Sequence, residues 1–204
     1  MPTEELILVF VKNPHQGKVK TRLAESVGAQ KALQIYHQLL RYTCDVVKPL
    51  EADVQVWYSD YIPLNDMWDE VGAEKRTQIG ETLGQRMKHA FNCGFAGGYQ
   101  RIGIIGSDCA QLETDHLRQA FRELEGNEVV AGPSRDGGYY LLGMRNYYPE
   151  LFEDKEWSTS GVYAATVADI DSLDLSFAEL PELNDVDTLD DWKEVKYRFV
   201  NSRP

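Results

Sequence analysis

The chain has 204 residues, a length that predicts one domain, residues 1–204, with a single hydrophobic core. Its composition, 43% hydrophobic and 26% charged, excludes a disordered or low-complexity chain. The net charge of −12 argues against a nucleic-acid partner, because phosphate contact requires a basic surface. No apolar run approaches the ~20 residues that span a membrane. Glu4 and Glu5 stand where a secretory signal would be basic, so we expect a cytoplasmic protein with free cysteines.

The predicted elements alternate between strands and helices. Leu6 to Val11 is a continuous apolar run, typical of a strand buried on both faces. The pattern then predicts a helix at 29–47 with Tyr36 in its apolar stripe, a strand at 54–58, a helix at 82–93 and a strand at 102–106. A helix capped by Thr114 and stopped by Gly126 follows, then strands at 129–132 and 139–143, a helix at 161–170 and a last helix after Thr188. This alternation indicates an α/β fold with a mostly parallel sheet.

The first strand runs into a basic, glycine-containing loop. Between Met1 and Ala24 all basic residues follow the strand, whereas residues 169–194 contain ten acids and one lysine. A strand, a glycine loop and a helix can present backbone N–H groups to a phosphate. The alternative is a solvated basic loop. We predict nucleotide phosphate binding by Lys12, Gly17, Lys18, Lys20, Thr21 and Arg22, in a polar loop where substitution of Lys20 or Arg22 leaves the fold intact.

Asp108 stands directly after the strand at 102–106. In an open parallel sheet, ligands bind beyond the carboxyl ends of the strands. A carboxylate there, flanked by the small residues Gly106 and Ser107, is well placed to hold Mg²⁺ or Mn²⁺ beside a diphosphate. The alternative is an Asp that caps the next turn. We assign Gly106 and Ser107 to the nucleotide site.

The segment Asp136-Gly137-Gly138 separates two short predicted strands. This composition is a strong signal for a β-hairpin, because glycine tolerates positive φ. A hairpin alone does not explain Arg135 or the tyrosines that follow the turn. Tyrosine rings and a carboxylate also suit a sugar, so we assign Gly137, Gly138 and Tyr139 to substrate binding. Trp157-Ser158-Thr159 is interpreted as packing, with the lining of a pocket as the alternative.

Two acids precede the last helix. Thr188 and Asp191 have the spacing of a helix N-terminus, whereas capping does not require Asp185 or Asp187. The two alternate along an extended stretch and therefore point the same way. We predict that Asp187, with Asp185 as the reserve, shares one divalent cation with Asp108.

Ordered motifs along nearly the whole chain resemble one family. They are Phe10-Val11-Lys12-x-Pro14-x-x-Gly17-x-Val19-Lys20-Thr21-Arg22-Leu23, Leu83-Gly84-Gln85-Arg86-Met87, Gly106-Ser107-Asp108-Cys109, Gly132-Pro133-x-x-Asp136-Gly137-Gly138-Tyr139-Tyr140, Trp157-Ser158-Thr159 and Asp185-Val186-Asp187-Thr188-x-x-Asp191. Together they resemble the DUF2064 family of glycosyltransferase-A-like proteins, also called selenodomain- or arsenosugar-associated transferases. Ala110 departs from the family, which usually has Pro there, and so does Leu189-Asp190, where Pro-Glu is usual.

This resemblance implies a fold similar to that of nucleotide-diphospho-sugar transferases, with a mixed, mainly parallel sheet and helices on both faces. It also implies nucleotide-dependent transfer with a divalent metal, Mg²⁺ or Mn²⁺, at the phosphates. The chain is similar as well to nucleotidyltransferases that make nucleotide-activated small molecules, including a phospholactate guanylyltransferase. These implications are analogies at the level of the family.

Three functions follow as expectations. The first is a metal-dependent glycosyltransferase that moves a sugar from a nucleotide-sugar to a small-molecule acceptor, with Asp136 as general base. The second is a nucleotidyltransferase that joins a nucleoside triphosphate to a phosphorylated acceptor and releases pyrophosphate. The third is a non-catalytic nucleotide-binding module. The sequence does not indicate the base, the sugar, the acceptor or the oligomeric state.

Overall fold

A seven-stranded sheet organises residues 3–199, the part of the chain that the computed structural model describes. Its strands are β1 (Glu5–Val11), β2 (Asp53–Tyr58), β3 (Glu74–Thr77), β4 (Arg101–Ile105), β5 (Val129–Pro133), β6 (Tyr139–Met144) and β7 (Phe177–Glu179). Their order is β3-β2-β1-β4-β6-β5-β7. Neighbouring strands are parallel except at β6, which runs antiparallel to both β4 and β5. The predicted α/β class with a mainly parallel sheet is confirmed.

Helices cover both faces of this sheet. They are α1 (Thr21–Val27), α2 (Ala29–Val47), α3 (Leu83–Ala96), α4 (Thr114–Gly126), α5 (Val162–Ser172) and α6 (Leu189–Val195), with short 3-10 helices at Met67–Val71, Pro149–Phe152 and Lys196–Phe199. Side chains of α2 and α4 pack with Ile7 and Val9 on one face, whereas those of α3 and α5 pack with Leu6 and Leu8 on the other. The apolar run of β1 is therefore buried on both faces, as its lack of alternation predicts. Among residues 3–199, no helix combines the length and the apolar character needed to cross a membrane.

Two helices begin with side-chain caps that the sequence signals. Thr82 Oγ1 accepts the backbone N–H of Gln85 at 3.2 Å before α3. Thr188 Oγ1 accepts the N–H of Asp191 at 3.3 Å, and Asp191 Oδ2 accepts the N–H of Thr188 at 2.7 Å. This reciprocal pair confirms the predicted start of α6 and fixes the segment that precedes it.

Several predicted details are wrong. Thr114 does not cap α4, because its hydroxyl donates to the carbonyl of Val46 at 2.7 Å; the preceding Glu113 donates its backbone N–H to His116 Nδ1 instead. Helix α4 does end at Gly126, as predicted. Helix α1 and strands β3 and β7 were not predicted, because each is short and offers little apolar periodicity. The cysteines Cys44, Cys93 and Cys109 are free, as expected.

Candidate active site

The chemistry-bearing loops meet at one edge of the sheet. Strands β1 and β4 are parallel neighbours, so the loops after Val11 and Ile105 leave the sheet on the same side. Because β4 and β5 both pair antiparallel with β6, the hairpin between β5 and β6 turns at that edge too. The segment before α6 joins them, since the N–H of Val186 donates to the carbonyl of Asp108 at 2.9 Å. The fold therefore places the four predicted loops around one cleft.

Lys20 links the two ends of the chain at the floor of this cleft. Its Nζ donates to Asp108 Oδ2 at 2.7 Å and to Asp187 Oδ1 at 2.9 Å. Arg22 donates through Nη2 to the other oxygen of Asp187. Asp108 and Asp187 are thus both held against a single positive charge, and the predicted juxtaposition of these two residues is present.

Burial and charge act in opposite directions on this cluster. The Lys20 side chain is only 5% exposed, and the Asp108 and Asp187 side chains keep 36% and 29%. Burial alone would lower the pKa of Lys20, but the two carboxylates raise it above its usual range. Burial would raise the pKa of Asp108, yet the Lys20 ammonium holds it below the usual value. Lys20 and Asp108 are therefore both charged at neutral pH.

The expectation that Lys20 lies in an exposed polar loop is wrong. Lys20 precedes α1 with φ 48° and ψ 50°, the left-handed region that disfavours side chains. This backbone turns the ammonium inward, onto the carboxylates. Arg22 keeps 65% exposure and matches the expectation better. We therefore expect substitution of Lys20 to affect the fold, contrary to the prediction that the fold stays intact.

Tyr36 is a site residue that sequence reasoning assigned only to the core. Its hydroxyl accepts the backbone N–H of Lys12 at 3.0 Å, donates to the carbonyl of Lys12 at 3.0 Å and lies 3.3 Å from Ser107 Oγ. Burial raises the pKa of Tyr36 to about 12, so the hydroxyl stays protonated. Tyr36 ties the loop after β1 to the loop after β4. Apolar periodicity could not reveal this, because the ring is part of the packed stripe of α2.

A polar cavity of about 540 Å³ opens over the Lys20 cluster. Seven of the residues predicted to bind nucleotide line it: Lys12, Lys18, Lys20, Thr21, Arg22, Gly106 and Ser107. Arg86 of α3 adds a further cation that the prediction missed. Gly17 does not line the cavity; with φ 79° it serves the turn of the loop instead. This excess of cations makes the cavity suitable for phosphate groups.

A second cavity of about 460 Å³, the aromatic cavity, has Tyr139, Tyr140 and Trp157 in its lining. It lies beside the polar cavity and shares Arg22 and Gly106 with it. It is lined by Asp136, the predicted general base, by Gly138 and Tyr139, two of the predicted substrate-binding residues, and by Asp185. Trp157, Ser158 and Thr159 also line it, so the alternative interpretation of this segment, the lining of a pocket, is the one that the structure shows. The two cavities together form one continuous cleft.

The turn that carries Asp136 is held in place by Gly137. Gly137 has φ 86°, and a Cβ there would lie 2.1 Å from the carbonyl oxygen of Ser160. Its own carbonyl accepts the N–H of Tyr163 at 2.9 Å, and Asp136 Oδ1 accepts the N–H of Gly138 at 3.0 Å. Gly137 therefore does not face the cavity but anchors the hairpin on the start of α5. The predicted hairpin is confirmed.

Asp185 lines the second cavity, close to the Asp108 carboxylate. Its Oδ2 accepts the hydroxyl of Ser134 at 3.2 Å, whereas Oδ1 is sealed from solvent without a hydrogen-bond partner among the described residues. Burial, followed by the nearby Asp108 charge, raises the pKa of Asp185 to about 8. An orphaned carboxylate oxygen beside two further carboxylates is an incomplete arrangement that a cation or a proton would complete.

A family model described as an uncharacterized protein conserved in bacteria, DUF2064, matches residues 43–159, more than half of the chain. The chain belongs to this family. The matched region contains Asp108, Asp136 and Trp157, whereas the basic loop and Asp187 lie outside it. A comparison with curated proteins found no match.

Solved structures support the same assignment. A protein of Desulfovibrio desulfuricans G20, provisionally named a nucleotide-diphospho-sugar transferase, is 34% identical with a TM-score of 0.89, covering 98% of this chain and 89% of its own. A cytidylyltransferase of Leptospira borgpetersenii has 15% identity and a TM-score of 0.60 over 95% and 85% of the two chains. A manganese complex from Mycobacterium tuberculosis H37Rv has 15% identity and a TM-score of 0.57 over 96% and 98%. The last two show that the fold is shared.

The donor set of this DUF2064 protein fits a divalent cation completed by substrate. Within residues 3–199, no group of three or more His, Cys, Asp or Glu side chains is arranged as a metal centre. Mg²⁺ commonly takes one or two carboxylates and completes its shell with phosphates and water. Asp108 and Asp187 already converge on one positive atom, and Asp185 has a free oxygen nearby. The metal ligands therefore stay a prediction that the side chains accommodate.

Trp157 owes its position to a glycine of the neighbouring helix. A Cβ at Gly84 would lie 2.3 Å from the Trp157 indole, so this position allows the ring to rest directly on α3. The motif Leu83-Gly84-Gln85-Arg86-Met87 thus contributes twice, through Gly84 beneath Trp157 and through Arg86 in the polar cavity. The family resemblance identified this motif in the sequence, but it did not indicate what Gly84 and Arg86 do.

Proposed function

We propose that this DUF2064 protein is a transferase that moves a sugar from a nucleotide-diphospho-sugar to a small-molecule acceptor. One observation carries the proposal: the polar cavity with its excess of cations joins an aromatic cavity that contains a carboxylate. The first has the charge to hold a nucleoside diphosphate. The second has the aromatic and carboxylate groups that suit a sugar and its acceptor. The 34% identical relative, provisionally named a nucleotide-diphospho-sugar transferase, supports the same activity.

The residues have distinct roles in this reaction. Lys12, Lys18 and Arg22 bind the diphosphate by charge-assisted hydrogen bonds. Asp136 takes the proton from the acceptor hydroxyl as the oxygen forms its bond to the anomeric carbon. The bond from that carbon to the diphosphate oxygen breaks, and the nucleoside diphosphate leaves with the electron pair. Tyr36 keeps Lys12 and Ser107 in register during this exchange.

A divalent cation is part of the proposal. Asp108 and Asp187 would hold it, with Asp185 as the alternative ligand, and a bound cation would neutralise charge that collects on the departing diphosphate. Lys20 keeps the two carboxylates together and supplies positive charge at the same place. The convergence of both carboxylates on one positive atom is the observation that supports a cation site at this position.

Nucleotidyl transfer is the second candidate, and the charge of the polar cavity favours it. Lys12, Lys18, Lys20, Arg22 and Arg86 all line that cavity, a density of cations that matches a triphosphate. An acceptor oxygen would then form a bond to the α-phosphorus, and pyrophosphate would leave with the electrons of the broken P–O bond. A non-catalytic nucleotide-binding module is the third possibility.

Product analysis separates these functions. The protein is incubated with Mn²⁺, a panel of nucleotide-sugars or nucleoside triphosphates, and candidate acceptors. Release of nucleoside diphosphate supports glycosyl transfer, release of pyrophosphate supports nucleotidyl transfer, and tight binding without either product supports a binding module. The double variant Lys12→Ala/Lys18→Ala should weaken nucleotide binding by tenfold or more, at about 1.5–3 kcal/mol for each lost charged hydrogen bond. Lys31→Ala, an exposed lysine of α2 outside both cavities, is the matched control. Unchanged nucleotide affinity in the double variant would remove the basic loop from the site.

A further inference from the structure

The walls of the aromatic cavity are chemically distinct from those of the polar cavity. Leu83, Met87, Tyr139 and Trp157 form much of its surface. The Trp157 ring is fixed, because it rests on the backbone of Gly84, and it remains partly exposed to the cavity. The Tyr139 hydroxyl lies 3.8 Å from Met87 Sδ, so this ring is fixed on the same side. A rigid apolar surface of this kind binds a flat or apolar body.

The ionisable groups at this cavity are mostly acidic. Asp136 and Asp185 line it, and Arg22 is the one Lys or Arg among its described lining residues. The Arg22 guanidinium is already paired with Asp187. An anionic group entering this cavity would therefore face two carboxyl groups and a cation whose charge is largely matched. A cavity whose described lining offers no unpaired cation gives an anionic ligand no compensating charge and therefore disfavours it.

The start of α5, which also borders this cavity, does not offer a compensating anion site. Its first backbone N–H groups are already used inside the protein. Gly161 N–H donates to Thr159 Oγ1 at 3.4 Å, Val162 N–H to the Thr159 carbonyl at 3.5 Å, and Tyr163 N–H to the Gly137 carbonyl at 2.9 Å. A phosphate or carboxylate would have to displace these bonds to use the positive end of the helix.

From these three observations we infer that the acceptor is a neutral or cationic hydroxyl compound with an apolar or aromatic body, and that it has no phosphate or carboxylate. This inference rests on the proposed function, because it takes the aromatic cavity as the acceptor site. The protein separates its charges: the anionic donor belongs to the cavity lined by lysines, and the acceptor belongs to the cavity lined by aromatic rings and carboxyl groups. The nucleotidyltransferase alternative was stated with a phosphorylated acceptor, and such an acceptor does not suit this cavity.

The test uses three probes of nearly equal shape that differ in charge: tyramine, tyrosol and 4-hydroxyphenylacetate. Their dissociation constants for the full-length protein are measured at neutral pH by ligand-observed NMR titration. We expect tyramine and tyrosol to bind about tenfold more tightly than 4-hydroxyphenylacetate. Asp136→Asn should reduce the preference for tyramine over the carboxylate by about threefold, because it removes one negative charge. Gly84→Leu, which displaces Trp157, should weaken all three, whereas Gly126→Ala, with open space at its Cβ, should weaken none.

Three results would overturn the inference. They are binding of 4-hydroxyphenylacetate as tight as that of tyramine, absence of binding of all three probes at millimolar concentration, and binding that Gly84→Leu leaves unchanged. Failure of the proposed function is read separately, from a nucleotide titration and from product release. A protein that ranks the probes as expected but releases no product would retain the inferred ligand class and lose the transferase activity.

Discussion

Replacing Lys20 with Met tests whether the paired carboxylates depend on one buried cation. Methionine keeps a long apolar side chain, and its backbone is strained at φ 48° to the same extent as that of lysine. The difference in stability between variant and wild type therefore measures the contribution of the ammonium group. Removing one partner of a buried ion pair costs about 3–5 kcal/mol. Because the Asp108 and Asp187 side chains retain 36% and 29% exposure, water recovers part of this, and we expect a loss of about 2–3 kcal/mol.

This loss is measured as a difference in the free energy of unfolding by urea titration, and as a shift in melting temperature of roughly 5–12 °C for a chain of this length. The raised pKa of Lys20 means that its contribution is complete below the pKa of lysine in the unfolded chain and disappears only as pH rises through the higher folded value. The effect is therefore full at pH 7.

The same variant tests the predicted metal ligands. Without the ammonium, Asp108 and Asp187 should attract a divalent cation more strongly, so Mn²⁺ should restore more unfolding free energy in Lys20→Met than it adds to the wild type. Lys18→Met, an exposed lysine of the same loop, is the control and should change stability by less than about 0.5 kcal/mol. If Lys20→Met is as stable as Lys18→Met, or if Mn²⁺ acts equally on Lys20→Met and wild type, the reasoning is wrong.

Three further changes probe the site. Because the pKa of Asp185 is about 8, its carboxyl in the folded protein holds a proton that the unfolded chain gives up near pH 4. The stability of the wild type therefore falls as pH rises between these two values. Urea titrations should show that Asp185→Asn gains stability relative to wild type from pH 5 to pH 8. An unchanged difference between these pH values would contradict it. Gly137→Ala should lower the free energy of unfolding by about 2 kcal/mol or more, since φ is 86° and the new Cβ meets the Ser160 carbonyl. Gly126→Ala in α4 should raise it by about 0.5–1 kcal/mol. Equal melting temperatures of the two variants would refute this. Tyr36→Phe should lower the free energy of unfolding by about 1–3 kcal/mol and weaken nucleotide binding, because Lys12 loses two hydrogen bonds. Tyr61→Phe, at an exposed position, is the control for stability. Calorimetry showing wild-type nucleotide affinity in Tyr36→Phe would argue against the positioning role.

The fold was predictable where apolar spacing is strong. Strand β1 and helix α2 have continuous or periodic apolar residues, and the predicted helix at 29–47 agrees with the structure at both ends. Strand β3, Glu74-Lys75-Arg76-Thr77, has no apolar residue, and its place at the sheet edge depends on pairing with β2. Such a strand is defined by its neighbour rather than by its own side chains.

The site was predictable as a set of loops but not as a set of contacts. The parallel sheet explains why Lys12, Asp108 and Asp136 meet at one edge. The burial of Lys20 could not be read from the loop, because it depends on a left-handed backbone and on Asp187, 167 positions away. Tyr36 and Trp157 were interpreted as packing residues, since an aromatic side chain that packs and also faces a ligand has the same sequence pattern as one that only packs.

The Lys20 cluster, Lys20 and Arg22 with Asp108 and Asp187, also determines at which stage of folding the cleft can be complete. Its ion pairs with Asp187 close a loop of 167 positions, the Arg22 pair closes one of 165, and so the cleft needs both ends of the described chain. Contacts so distant in sequence form late, after local helices and neighbouring strands. A partly folded chain that has assembled β1, α2 and β2 would possess the basic loop without its acidic counterpart. In the proposed function, nucleotide binding would therefore require the completed fold, with the segment that carries Asp187 already docked against the basic loop.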